Sequence, residues 1–298
     1  YKVTGVQTCA LPISYVLLGA IIERVSGQTY EAFVKARIFE PLEMGSTFYG
    51  SNEPIIRKRV EGYTDDGGTI KNARYLSMTQ PYSAGSLVSS VDDLARWDAS
   101  LYDSRLLTSD SLKRMWTPYT LNSGKSTHYG YGWVISTLRG HSSIEHGGGI
   151  PGFSTYALRL PGEHVFVAVL CNTDRPKAEP GFLAKRLAAI AIGDPFPTLV
   201  AVKLDPAVLA GHAGVYEIDK DTRRTVTAEN GKLYTQRSGG QRLEALPASE
   251  TDFFYDYSTT TIHFERDAGG RTVAMVISHE DGEEPERAVR VSDTAPTP

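Results

Sequence analysis

The sequence predicts a mixed α/β (α+β) chain in two parts, an antiparallel sheet flanked by helices and then a small all-β barrel. Three observations carry this. The chain has 298 residues, 41% hydrophobic and 22% charged, which is long enough for two cores rather than one. Apolar residues recur at helical spacing up to Leu101, and beyond Tyr129 the period changes to two. From Gly214 onward, about eight short segments alternate between Gly-rich turns at near-regular spacing, the pattern of a small closed sheet.

Element by element, Leu17, Leu18, Ile21, Ile22 and Val25 share one helical stripe, and Gly27 sits where a C-terminal cap belongs. Thr29 caps a second helix containing Tyr30, Phe33, Val34, Arg37 and Ile38, which Pro41 ends. Residues 44–80 are rich in Gly, Asn, Asp and Thr, with Asp65-Asp66-Gly67-Gly68 as a turn, and read as a long surface excursion of the kind that often carries function. Ser90 with Asp93 three residues on opens a helix over residues 91–101, in which Leu94, Trp97 and Leu101 share a face.

Strands follow at residues 131–136, 142–146, 154–160 and 165–172, then a helix at 182–192 able to cover one face of their sheet. Pro195 and Pro197 begin a sparse linker. The barrel strands fall at 214–218, 225–228, 233–237, 242–246, 252–255, 261–265, 272–278 and 288–291, with turns at Asn230-Gly231, Gly239-Gly240 and Gly269-Gly270. The expected organisation is therefore residues 1–13 outside the fold, 14–193 as the first domain, 194–210 as linker, 211–292 as the barrel and 293–298 as a fraying tail.

Several functions are disfavoured. A formal charge of −4 with acids and bases interspersed offers no basic field for phosphates, so no nucleic-acid partner is expected. No apolar run approaches the roughly 18–20 residues of a transmembrane helix. His128, His141, His146 and Glu145 lie near one another in sequence, but no pair has one-face spacing, and on a strand Glu145 and His146 point to opposite faces. Neither metal nor cofactor is expected. Cys9 and Cys171 give no disulfide framework. Residues 3–13 resemble the translation of a short-read sequencing adapter, joined to coding sequence near Ser14 and set aside from fold reasoning on that ground.

Three stretches resemble one known family. The first is Tyr15-Val16-Leu17-Leu18-Gly19-Ala20-Ile21-Ile22-Glu23-Arg24-Val25-Ser26-Gly27-Gln28 with Ile38-Phe39-Glu40-Pro41-Leu42-Glu43-Met44. The second is Ala84-Gly85-Ser86-Leu87-Val88-Ser89-Ser90-Val91-Asp92-Asp93-Leu94-Ala95-Arg96-Trp97. The most specific runs Tyr129-Gly130-Tyr131-Gly132-Trp133, then Glu145-His146-Gly147-Gly148-Gly149-Ile150-Pro151-Gly152-Phe153-Ser154, then Leu170-Cys171-Asn172. In this order and spacing they resemble the serine β-lactamase and penicillin-binding-protein family, in particular the hydrolases related to class C β-lactamases. Residues 214–291 resemble the lipocalin-like barrel appended to some of them.

The resemblance implies an acyl-enzyme chemistry. A serine is deprotonated by the lysine of a Ser-x-x-Lys turn, a Tyr-x-Asn element relays protons, and two backbone N–H groups receive the oxyanion. No lysine here has a serine three residues before it, and no asparagine has a tyrosine two before it. By register from Tyr15 the latter motif would fall at Ala10 and Pro12. There is no Gly-x-Ser-x-Gly elbow either. The chain is therefore expected to be a remnant, inactive as it stands.

Site residues follow from the same register. His146 stands where the family has a basic residue, and either steers a substrate carboxylate or supports the proton relay, unless it is only a solvated strand histidine. Gly147 and Gly148 would let substrate backbone pair along their strand, and Gly149 would offer the second oxyanion N–H. Asn172 contacts substrate or merely forms a turn. Ser83, Ala84 and Gly85 should line the opposite wall with Tyr82, or form a buried structural turn. The expected partner is a small-molecule or peptide substrate, a β-lactam or D-amino-acid peptide among the candidates, in a periplasmic or secreted setting, with homo-oligomerisation through the barrel as a further implication. A penicillin- or peptide-binding module without catalysis is the competing reading.

Overall fold

A computed structural model describes residues 7–256, 258–279 and 284–293, with only the backbone described at 7–12. Contacts divide the chain into two units, Tyr1–Ser136 with Ser142–Ala188, and Thr137–His141 with Ala189–Pro298.

Helix α1, Gln7–Ser26, begins seven residues before Ser14. Residues 7–13 of the adapter-like segment are thus helical, and residues 1–6 lie outside the described residues. Gly27, at φ +70°, donates its N–H to Glu23 O and ends the helix, as an αL cap should. The buried face shares only Ile22 with the stripe read from the sequence. Leu17, Leu18, Ile21 and Val25 are 51–81% exposed, whereas Tyr15, Val16, Gly19, Ile22 and Glu23 face the protein. The reason is Gly19. With no Cβ it lets the helix backbone come down on Ser83 and Tyr82, rotating the contact face away from the leucines.

Thr29 Oγ1 accepts from Ala32 N to cap α2, Tyr30–Val34, which widens into a π-turn at Lys35–Phe39 before Pro41. The excursion then carries β1, Phe48–Tyr49, and a hairpin of β2, Tyr63–Asp66, with β3, Thr69–Asn72. A 3-10 turn, Tyr82–Ala84, leads into β4, Leu87–Val88, which pairs with β1. Ser90 caps α3, Val91–Ser100, by accepting from Asp93 N. The buried Asp93 carboxylate does not complete a reciprocal box. It accepts from Ser46 N at 2.7 Å and Thr47 Oγ1 at 2.8 Å, pinning the start of the excursion. Helix α4, Ser109–Met115, capped by Thr108, was not legible, because seven residues are too few for periodicity to show.

The four-stranded sheet runs in order β5, Val134–Leu138; β6, His141–Ile150; β7, Phe153–Leu160; β8, Val165–Cys171. Arg139 and Gly140, both at positive φ, close the first hairpin as a two-residue turn of the primed type. Side chains on β7 alternate between two covered faces. Tyr156, Leu158 and Leu160 lie on the face of α5, Pro180–Ala191, with the Tyr156 ring against Gly181. Arg159 lies on the other face, 1% exposed, its Nε donating to Asp98 of α3 at 2.7 Å and its guanidinium stacked between Tyr102 and Trp116.

The second unit opens with α6, Pro206–His212, a second short helix absent from the sequence reading although Asp205 caps it and Pro206 starts it. The barrel strands are β9, Gly214–Glu217; β10, Arg223–Glu229; β11, Lys232–Arg237; β12, Arg242–Pro247; β13, Asp252–Phe254; β14, Thr261–Arg266; β15, Thr272–Ser278; and β16, Glu286–Ser292. They close antiparallel, β16 pairing with β9. Asn230-Gly231 is a positive-φ pair between β10 and β11. The interior is filled by Tyr216, Val226, Leu233, Phe253, Phe264, Met275 and Ile277, all at most 1% exposed, so this barrel is a packed core. His212 of α6 stacks on Phe264 at 4.2 Å, and its ring nitrogens meet Thr272 Oγ1 and Glu250 O. The expected tail beyond Asp293 lies outside the described residues.

Candidate active site

The register of β6 on β7 sets the geometry. Glu145 pairs with Leu158 and His146 with Ala157, so consecutive residues go to opposite faces. Glu145 goes under the sheet toward α5, where it is 3% exposed, 3.7 Å from Lys185 Nζ and accepting from Ser143 Oγ. Burial first, and then the Glu145 charge, push the Tyr156 phenol well above its ordinary range. His146 emerges on the opposite, open face. This separation removes the metal arrangement considered for Glu145 with His146, and no metal-binding cluster occurs among the described residues.

His146 is held at both nitrogens. Its Nδ1 lies 2.6 Å from Gly147 O, and its Nε2 lies 3.0 Å from the Tyr129 hydroxyl, the two rings meeting edge-on at 5.9 Å. Tyr15 of α1 stands beside Tyr129. Burial pushes the Tyr129 phenol up, with a hydrogen bond to Tyr15 the next cause. Gly132, at φ +79°, leaves room for the Tyr15 hydroxyl.

A two-residue turn sets β5 against the first half of β6, so the shorter strand runs out opposite Glu145. Gly147, Gly148 and Gly149 are exposed beyond it, with no strand on that side among the described residues. Their glycines have different physical grounds. A Cβ on Gly147 would meet the Tyr156 ring at 3.1 Å, and one on Gly148 would meet Thr155 Oγ1 at 2.8 Å. At Gly149 a Cβ would touch nothing within 4 Å.

The turn of Tyr82, Ser83, Ala84 and Gly85 reaches this cluster through α1. Ser83 Oγ donates to Tyr15 O at 2.7 Å, which fixes the residue whose hydroxyl stands at Tyr129. Tyr82 takes φ +42°, unusual for a residue with a side chain. Its phenol is pushed up to about 12 by burial first and Glu23 second, while Ala84 and Gly85 are exposed. Asn172 is elsewhere. It follows Cys171 at the end of β8, two strands from β6, about 10 Å at the usual strand spacing. Its Nδ2 donates to Glu61 O, tethering the excursion to the sheet. An open groove of about 880 Å³ borders the cluster, lined by Ser14, Arg114, Pro118, Tyr119, Tyr129 and Tyr131. Sequence reasoning quoted Tyr15 and Tyr129 but gave them no role, since nothing local brings two hydroxyls and an imidazole together.

Residues 12–192 match the family model described as Beta-lactamase. The chain belongs to the β-lactamase family. Residues 199–290 match a second model, a domain of unknown function, DUF3471, over the eight-stranded barrel of this β-lactamase-family chain. It is similar to penicillin-binding protein 4* of Bacillus subtilis, 31% identical across 93% of the chain and 65% of that protein. It is also similar to a D-aminopeptidase of Gluconobacter oxydans, 22% identical across 52% of the chain and 30% of that protein. Among solved structures, the octameric penicillin-binding protein homologue from Pyrococcus abyssi shares the fold with TM-score 0.57 and 23% identity, over 94% of this chain and 64% of that one. The D-amino acid amidase of Ochrobactrum anthropi does so with TM-score 0.52 and 23% identity, over 61% and 57%. The chain thus spans less than two thirds of the length of each. No helix among the described residues is long and apolar enough to cross a membrane.

Proposed function

We propose that this chain carries the non-nucleophilic wall of a serine hydrolase that cleaves an amide or ester bond through an acyl-enzyme, with D-amino-acid peptides, their amides or β-lactams as the substrate class. The observation that carries the reading is the exposed Gly147–Gly148–Gly149 edge of β6 with the Tyr129–His146 pair beside it. Backbone N–H groups along an unpaired strand can receive a substrate carbonyl and its developing negative charge, and an imidazole within reach can move a proton. The names of the similar proteins, a penicillin-binding protein, a D-aminopeptidase and a D-amino acid amidase, support that substrate class.

Neither Ser-x-x-Lys nor Tyr-x-Asn occurs in the 298 residues. The proposal therefore assigns the nucleophile to sequence outside them. The test is expression of the chain together with the upstream coding sequence of its parent gene. A Ser-x-x-Lys in that sequence, a penicillin adduct on its serine by mass spectrometry, and turnover of a D-amino acid amide are expected. An extended protein that has the serine and forms no adduct with any of these compounds would overturn the proposal. Reversible penicillin binding without any upstream serine would instead establish the non-catalytic module.

A further inference from the structure

We propose that Tyr129 is a positioning residue that selects the tautomer of His146, so that the imidazole is poised with its proton on Nδ1 and its lone pair on Nε2. The argument begins at Gly147 O, 2.6 Å from His146 Nδ1. A carbonyl oxygen only accepts, so Nδ1 carries a hydrogen and donates it. In the neutral ring Nε2 is then an acceptor, and the Tyr129 hydroxyl at 3.0 Å must be its donor. Tyr129 has a single hydroxyl hydrogen, and the bond to Nε2 uses it. The result is a chain with one direction: Tyr129 to His146 Nε2, and His146 Nδ1 to Gly147 O.

The arrangement is built rather than incidental. Tyr129 is fixed by its backbone, with Gly130 N donating to Trp133 O and Tyr119 N to Tyr129 O. Tyr15 is fixed through Ser83, whose hydroxyl holds its carbonyl. An unconstrained imidazole prefers its hydrogen on Nε2, so the tautomer inferred from these contacts is one that the surroundings impose. A hydroxyl is also the partner that suits both protonation states. When Nε2 is unprotonated Tyr129 donates to it, and when His146 takes up a proton the hydroxyl turns and accepts. His146 can therefore gain and lose a proton at Nε2 without breaking its contacts, which a backbone partner at that position would not allow. Resting on the hydrolase reading, this favours proton relay over fixed charge as the contribution of His146.

The test is independent of catalysis. In the 298-residue chain, labelled with 15N at histidine and held at about pH 8, above the ordinary histidine range, the His146 ring is expected to show a protonated Nδ1 and an unprotonated Nε2. The resonances are assigned by their loss in His146→Gln. Tyr129→Phe should move the Nε2 resonance and transfer population toward the Nε2–H form, with backbone amide dispersion unchanged. Tyr15→Phe, which leaves the Tyr129 hydroxyl in place, should retain the Nδ1–H form. An Nε2–H tautomer in the unaltered chain overturns the proposal, and so does a Tyr129→Phe spectrum identical to it. Were Tyr129→Phe to unfold, the tautomer in the unaltered chain and in Tyr15→Phe would still decide. Failure of the hydrolase reading would appear as an absent acyl adduct with this tautomer intact, so the two outcomes are separable.

Discussion

Replacing Gly19 by alanine should destabilise the first unit, although alanine is the better helix former. An added Cβ would stand 2.1 Å from Ser83 Oγ, 2.5 Å from Ser83 Cβ and 2.7 Å from Tyr82 Cε1, well inside the roughly 3.5–4.0 Å of a relaxed contact. Overpacking of this kind costs about 1–3 kcal/mol, and the number and closeness of the contacts put Gly19 at the upper end. Ser83 cannot turn aside freely, because its hydroxyl donates to Tyr15 O at 2.7 Å, a bond worth about 1 kcal/mol. Against this stands a gain of about 1 kcal/mol for Ala over Gly within a helix. The net loss is therefore about 2–3 kcal/mol. Urea unfolding followed by tryptophan fluorescence reads it directly, because Trp97, Trp116 and Trp133 all lie in the first unit and the barrel has none. With a slope of about 2 kcal/mol per molar, the midpoint should fall by about 1 M. Adding Ser83→Gly should restore part of the loss by removing the two closest atoms. A midpoint unchanged or raised in Gly19→Ala would refute the claim that this glycine sets the helix against the turn.

Other outcomes follow from the same contacts. Asp98→Ala leaves the buried Arg159 guanidinium without its carboxylate and should cost about 3–5 kcal/mol, whereas Asp98→Ala with Arg159→Met should cost less than Asp98→Ala alone, by urea titration. Burial holds the His212 imidazole below its ordinary value. The neutral ring is therefore favoured in the fold, and no penalty applies above the unfolded value. As pH falls below about 6.5 the unfolded chain takes up the proton first and the barrel loses stability. Far-UV circular dichroism melts between about pH 7.5 and 5.5 should show a falling midpoint, which His212→Gln flattens. Gly152→Ala, at φ +86° with backbone of Gly62 2.8 Å from the new Cβ, should loosen the excursion and speed proteolysis within residues 45–80. The chain alone should hydrolyse nitrocefin and p-nitrophenyl esters no faster than buffer, and an acyl adduct on it in mass spectrometry would contradict this.

Much of the architecture was written locally. Alternation with a period of two places a strand at 154–160 whatever covers it, and Asn230-Gly231 specifies a tight turn because both residues tolerate positive φ. Caps at Thr29 and Ser90 bond to residues three positions away, so the sequence carries them complete. The sheet, its helices and the eight-stranded closure were legible for that reason, as was the family to which the motifs belong.

What only the tertiary structure decided depends on partners far apart in the chain. The helical stripe of Leu17, Leu18, Ile21, Ile22 and Val25 was visible, but that only Ile22 of these faces the protein turned on Gly19 meeting Ser83, 64 residues away. The sequence allows Asn172 a substrate contact or a turn, and the fold gives its amide to Glu61 O, 111 residues back. Two seven-residue helices escaped notice because two turns are too short for periodicity to rise above chance. His146 was found by its motif, yet the hydroxyl that meets its Nε2 belongs to Tyr129, brought there from another segment. A hydrophobic pattern specifies which element forms and roughly which face it buries, through apolar area that acts without direction. The direction of a hydrogen-bond chain depends on distances of about 3 Å, and only the assembled backbone sets those.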